Sequence, residues 1–192
     1  MLTAQPLHLG ADWVRLPPDA LAAQQLSALA RVSGLFEDEG VAYWLFGGWA
    51  VDFYAGLVTR EHDDVDLAVW LKDVPRIMTL LEGDGWRHAP LNDEDGGTGY
   101  ERGSVRLELT YLIRDADGGI FTPFRRGRGQ WSEEALADDV GELHGVRSHL
   151  IALGPLTRAK SSPRDDPEDA AKDSADFEQL SRLGTGTPTE RQ

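Results

Sequence analysis

The stretch "WLFGGWAVDFYAGLVTREHDDVDLAVW", Trp44 to Trp70, constrains this chain most. Its apolar run "VAYWLF" reads as a short strand that ends in Gly47-Gly48, and "WAVDFYAGL" reads as a short helix ended by Gly56. A second strand, "DVDLAVW", then carries Asp64 and Asp66 in an otherwise apolar pattern. Glycine costs roughly 0.5–1 kcal/mol inside a regular element and an unpaired buried carboxylate costs several kcal/mol, so neither feature serves a core.

Two glycines between a strand and a helix let the backbone approach a ligand and leave the first helical N–H groups pointing outward, an anion seat suited to phosphate. A tight strand-to-helix turn is the bland alternative. Alternate strand residues face the same way, so Asp64 and Asp66 stand side by side and call for a cation between them. Magnesium fits, because it takes oxygen ligands and is held by one or two carboxylates plus phosphate oxygens. Glu108, in "RLELTY", adds a third carboxylate from a neighbouring strand, the alternative being a solvated strand face paired with Arg106. Three carboxylates around paired magnesium ions, facing a phosphate seat, describe metal-assisted nucleotidyl transfer. In that scheme Glu108 binds metal, takes the acceptor's proton, or does both.

The remaining pattern surrounds this centre with α and β elements. Asp19 starts a helix in which Leu21, Leu26, Leu29, Val32 and Phe36 recur until Gly40. Val74 to Leu81 is a helix closed by Gly83 and Gly85, "TGYERGSVRLELTYLI" is a strand pair turning at Gly103, and "RDADGGIFTPF" is a hairpin. The run Arg125 to Gly129, "RRGRG", reads as a solvated loop, the alternative being a phosphate grip, and is followed by a weakly patterned stretch and a strand end and helix in "HGVRSHLIALGPLTRAK". A last helix is expected to bury Ala171, Ala175, Phe177 and Leu180. The expected division is an N-terminal extension over 1–19, a core over 20–125, a C-terminal helical part over 126–183, and a tail of disordered composition over 184–192.

Composition narrows the partners. The 192 residues carry 33 acidic and 19 basic side chains, a net charge of −14, which repels nucleic acid and draws cationic small molecules. Cysteine is absent, so thiolate zinc sites and thiol nucleophiles are excluded, and a cytoplasmic location is expected. No window approaches the roughly 18–20 apolar residues of a membrane span.

The Gly-Gly turn, helix and Asp-apolar-Asp order, with the "GGWAVD" and "TREHDDVDL" wording, resembles the small antibiotic nucleotidyltransferases, the lincosamide and aminoglycoside adenylyltransferases of the polymerase-β-like superfamily. Fifteen residues separate Gly48 from Asp64, a spacing typical of this subgroup. The resemblance covers roughly residues 25 to 183. It implies a polymerase-β-like α+β fold, a mixed β-sheet flanked by helices with a small C-terminal helical part. It also implies an enzyme that moves NMP, AMP foremost, from NTP to a hydroxyl of a small cationic antibiotic. Gly47 and Gly48 would seat the triphosphate; Asp64 and Asp66 would hold two Mg²⁺ ions. Glu108 stands where the family usually has aspartate, which leaves open whether it is base, ligand or both.

Arg60 meets phosphate or forms a salt bridge to Asp63 or Asp52, and His62 is read as a hydrogen-bonded structural residue. Relatives place a lysine toward the nucleotide, a role that falls to Lys160 ahead of Lys172. Asp176 is read as a helix cap or surface charge, the alternative being support of the acceptor side, and Trp49 as packing. A toxin that modifies tRNA would share the catalytic core, though −14 opposes an RNA-binding face; a non-catalytic nucleotide-binding relative is the other alternative.

Overall fold

The computed structural model describes residues 19–90 and 95–184. The expected extension and tail, apart from Asp19 and Gly184, lie outside these residues.

Helix α1, Ala20–Asp38, starts where the Asp19 carboxylate accepts the Ala22 N–H at 2.8 Å, and it buries Leu26, Leu29, Val32 and Phe36. The chain turns at Gly40 into β1, Tyr43–Phe46, and passes through the glycine pair into α2, Gly47–Ala55, whose C-cap Gly56 is left-handed at φ 72°. β2, Val65–Trp70, returns antiparallel to β1. After α3, Val74–Gly83, come β3, Arg87–His88, β4, Gly97–Arg102, and β5, Val105–Arg114. β5 runs antiparallel to β4 and parallel to β2, so β2 lies between β1 and β5 with Leu67, Ala68 and Val69 fully buried. The parallel pairing explains why β2 reads as a near-continuous apolar run.

A hairpin of β6, Ile120–Phe124, and β7, Gly127–Trp131, extends from the end of β5. β8, Asp139–Leu143, and β9, Val146–Leu150, form the other margin, where β9 pairs in parallel with β1. The sheet order is β3-β4-β5-β2-β1-β9-β8. Helices α4, Leu153–Lys160, and α5, Pro167–Gly184, follow and pack with α2, while α1 packs on β9, β5 and α3. This is the expected α+β arrangement, a mixed sheet flanked by helices with a small C-terminal helical part. No helix among the described residues is long and apolar enough to cross a membrane.

Two local expectations are corrected. The "RRGRG" run is a turn and then strand β7, and the weakly patterned stretch holds β8; both strands are largely exposed, so neither carries the apolar alternation of a core strand. Helix α5 also turns a different face inward. Ala171, Ala175 and Phe177 are exposed, whereas Asp173, Asp176 and Leu180 are buried. The buried side of α5 therefore carries two carboxylates, which meet Arg60, Lys160 and Arg164.

Candidate active site

Strand register places the carboxylates. Asp66 on β2 pairs laterally with Glu108 on β5 and with Phe46 on β1, and Asp64 lies one pleat before Asp66 at the start of the strand. All three are half-buried, and each offers an oxygen within 4.8 Å of those of the others. Burial, and then the charges of Asp64 and Glu108, push the Asp66 carboxyl well above the ordinary carboxylate range, while Lys160 and Arg60 oppose the shift. Asp64 is also raised, by burial, Glu108 and Asp63. Among the described residues this is the one carboxylate cluster able to hold a metal ion, and its all-oxygen donor set suits a hard divalent cation such as magnesium.

Gly47 joins this cluster to α2. Its φ is +67°, and a Cβ there would stand 2.0 Å from Asp66 Oδ2. The turn thus needs glycine both for its backbone and to bring the helix start against the Asp66 carboxylate. A Cβ on Gly48 would meet Arg60 Nη2 at 2.4 Å and His62 Nδ1 at 2.5 Å. Phe46, the N-cap, gives the helix no side-chain acceptor, so its first N–H groups are not capped by that residue.

The loop from α2 to β2 is fixed from beneath. Asp52, fully buried, accepts the Thr59 N–H at 3.0 Å and pairs with His62 Nε2 at 2.6 Å; the His62 carbonyl accepts from Gln25 Nε2 at 2.8 Å. Trp49 is buried with its ring 4.5 Å from that of His62. His62 and Trp49 thus hold the structural positions expected of them.

Arg60 engages neither Asp63 nor Asp52 through a salt bridge. Its Nε and Nη2 donate to the two oxygens of Asp176 on α5, each at 3.0 Å, and Nη1 donates to the Glu61 carbonyl at 2.9 Å. Lys160 is buried and bridges Asp176 at 2.9 Å and Asp173 at 2.7 Å. Asp173 also accepts from Arg164 Nε at 2.7 Å. Asp176 is therefore an interior anion rather than a cap or surface charge. Burial alone would raise its carboxyl, but hydrogen bonds from Arg60 and Lys160 prevail and hold it below the ordinary range. Lys172 pairs with Asp63 at 2.9 Å and Glu168 at 3.0 Å.

These groups border a polar cleft of about 270 Å³ that holds Gly48, Arg60, Asp64, Asp66, Glu108, Arg164 and Lys172 in its wall. Lys160 stands behind that wall. A separate apolar groove of about 400 Å³, with Leu153, Phe177 and Leu180, runs between α4 and α5 and shares no residue with the carboxylates. Arg106 Nε donates to Glu108 Oε1 at 2.9 Å, the pairing that one of its sequence readings expects, and Glu108 also lies in the carboxylate cluster with Asp64 and Asp66. Sequence reasoning missed Arg164 and Asp173. Arg164 sits in the charge-dense "SSPRDDP" loop with no periodicity to mark it, and Asp173 signals itself only through its three-residue spacing from Asp176.

Comparisons with known proteins give the family. The family model described as aminoglycoside-2''-adenylyltransferase matches residues 28–154. A lincosamide resistance protein from Staphylococcus haemolyticus is 40% identical over 53 residues, 28% of this chain and 33% of that protein. A 2''-aminoglycoside nucleotidyltransferase from Escherichia coli is 37% identical over 43 residues, 22% of this chain and 24% of that protein. The chain thus matches a third or less of the length of these curated relatives. Among solved structures, the lincosamide antibiotic adenylyltransferase LnuA, lincomycin-bound, superposes with a TM-score of 0.64 at 20% identity, covering 82% of this chain and 96% of that one. ANT(2'')-Ia in complex with adenylyl-2''-tobramycin gives 0.57 at 20% identity, covering 83% and 94%. At that identity the two structures speak for the fold, whereas the family model spans well over half of this chain. The chain belongs to the aminoglycoside-2''-adenylyltransferase family of small antibiotic nucleotidyltransferases.

Proposed function

We propose that the protein is a magnesium-dependent nucleotidyltransferase that moves NMP, AMP foremost, from NTP to a hydroxyl of a small cationic antibiotic, an aminoglycoside or a lincosamide. The observation that carries this reading is the meeting of Asp64, Asp66 and Glu108 with the Gly47-Gly48 helix start in one cleft. Asp64, Asp66 and Glu108 would hold the magnesium ions, which supply charge neutralisation for the polyphosphate and activation of the attacking oxygen.

The chain's own groups do the rest. The N–H groups at the Gly47-Gly48 helix start, which the N-cap Phe46 side chain does not cap, bind phosphate oxygens and Arg60 adds a cation beside them, with Lys160 supporting it through their shared carboxylate Asp176. The acceptor hydroxyl oxygen forms a bond to the α-phosphorus. The bond from that phosphorus to the oxygen bridging to the β-phosphate breaks, and pyrophosphate leaves with that oxygen. Arg106 fixes Glu108 through Oε1, leaving Oε2 with no partner among the described residues to receive the hydroxyl proton. The cleft's excess of carboxylates, in a chain of charge −14, favours an ammonium-bearing acceptor over RNA.

The test is incubation with magnesium, each NTP, and a panel of aminoglycosides, lincosamides and bulk tRNA, followed by mass spectrometry. The reading expects an NMP adduct on an antibiotic. Labelled tRNA with every antibiotic unmodified would refute it.

A further inference from the structure

We propose that Arg164, on the loop between α4 and α5, is the polyphosphate-binding cation that the C-terminal helices supply to the cleft. This inference rests on the nucleotidyl-transfer reading and names a binding residue for it.

Carboxylates outnumber cations around the cleft, so a polyanionic substrate depends on whichever cations have donors to give. Three Arg and Lys side chains border it: Arg60, Arg164 and Lys172. Arg60 has a bond from each of its three nitrogens, two to Asp176 and one to the Glu61 carbonyl, which leaves one N–H on each terminal nitrogen and its plane fixed on α5. Lys172 is bridged between Asp63 and Glu168. Lys160, behind the wall and 8% exposed in its side chain, bridges Asp173 and Asp176.

Arg164 differs from all of these. Among the described residues only its Nε is engaged, by Asp173 Oδ2 at 2.7 Å, and its side chain is 53% exposed. Both terminal nitrogens therefore keep their donors, at the rim of the cleft that contains Asp66 and Gly48. Asp173 is itself anchored by Lys160, so the free end of Arg164 is aimed by a buried ion pair rather than left to wander. A guanidinium fixed at Nε and open at its other two nitrogens has the fork geometry that grips a phosphate through two bonds. The network thus divides the labour: Lys160 and Asp173 hold, and Arg164 binds.

The test measures binding of magnesium tripolyphosphate and of a non-hydrolysable magnesium–NTP analogue by calorimetry, on wild-type protein, Arg164→Ala and Arg164→Lys. Melting temperatures are taken without ligand. The expected result is that Arg164→Ala weakens both ligands about tenfold or more, as loss of a charge-assisted pair of bonds implies, with melting unchanged. Arg164→Lys should recover part of the loss, because it keeps the charge without the fork. Wild-type affinity in Arg164→Ala would overturn the assignment and leave the nucleotidyl-transfer reading standing. A loss matched by a fall in the ligand-free melting temperature would overturn it in favour of a structural role. If wild-type protein binds neither ligand, both readings fall.

Discussion

Asp66 and Glu108 are register partners on the parallel strands β2 and β5, so their carboxylates leave the same face of the sheet at the same level. The antiparallel neighbour β1 sets Phe46 opposite Asp66, and the next residue, Gly47, begins α2 with its Cα turned toward Asp66 Oδ2. One strand register therefore fixes both halves of the site, the carboxylates and the helix start. Like charges held this close without a cation store repulsion, and that repulsion can be measured.

Replacing Asp66 with Asn should abolish transfer while raising the melting temperature of the metal-free protein at neutral pH. The folded-state pKa of Asp66 is raised by burial, Asp64 and Glu108, so its ionised form opposes the fold. A lower melting temperature in Asp66→Asn at pH 7 would contradict this account.

The same shift fixes a pH dependence. A carboxyl whose folded pKa lies above its unfolded value of about 4 weakens the fold as pH rises through the window between them. Asp64 and Asp66 are both raised, so the metal-free protein should lose stability as pH climbs through that window. Magnesium should restore it, with a larger gain in melting temperature at pH 8 than at pH 5. Differential scanning calorimetry at the two pH values, with and without magnesium, checks this, and a gain independent of pH would count against the shared site.

Asp176 has the opposite sign. Its carboxyl is held low by Arg60 and Lys160 against the pull of burial, so its contribution is present above the unfolded carboxylate pKa and is lost as pH falls through the lower folded value. Asp176→Asn removes the anion shared by Arg60 and Lys160, which should cost about 3 kcal/mol or more at pH 7, as breaking a buried pair does. Urea unfolding at pH 7 measures it. A cost near zero would mean that the network does not bolt α5 to the site.

The two glycine types should separate cleanly. Gly48→Ala places a methyl against Arg60 and against a His62 ring locked by Asp52, and should weaken nucleotide binding at least tenfold by the loss of the helix-start geometry. Gly34→Ala, in α1 with nothing within 4 Å of its Cβ, should leave binding unchanged and stabilise the fold by up to about 1 kcal/mol. Calorimetric titration with a magnesium–NTP analogue distinguishes them.

Acceptor recognition should carry an electrostatic signature. The segment "LNDEDGG" includes Asp93 and Glu94, which lie outside the described residues, and Asp95, whose carboxylate accepts the Arg125 N–H at 3.0 Å. Neutralising all three should raise the acceptor KM with little change in kcat, and acceptor affinity should fall as salt shortens the screening length below about 8–10 Å. A KM insensitive to both would place the acceptor elsewhere.

Much of this centre was legible in the sequence because each part bends a strong local pattern. The glycines end an apolar strand, Asp64 and Asp66 flank buried Val65 and precede buried Leu67, Ala68 and Val69, and Glu108 lies between buried Leu107 and Leu109. The C-terminal half was harder to read. β7 and β8 are exposed margins without alternation, and α5 hides its function because a carboxylate is expected outside and here lies inside. Nothing local marks Asp176 as buried; its partners, Arg60 and Lys160, lie 116 and 16 residues away in the chain. Arg164 and Asp173 are visible only once that long-range pairing is in place.

Transfer of label from α-phosphate-labelled NTP to a susceptible antibiotic tests the central claim most directly, run with wild-type protein and Asp66→Asn, each with magnesium and with chelator. Label should reach the antibiotic only with wild-type protein and magnesium together, with one pyrophosphate released per adduct. Labelling by Asp66→Asn at the wild-type rate, or labelling undiminished by chelator, would contradict the account.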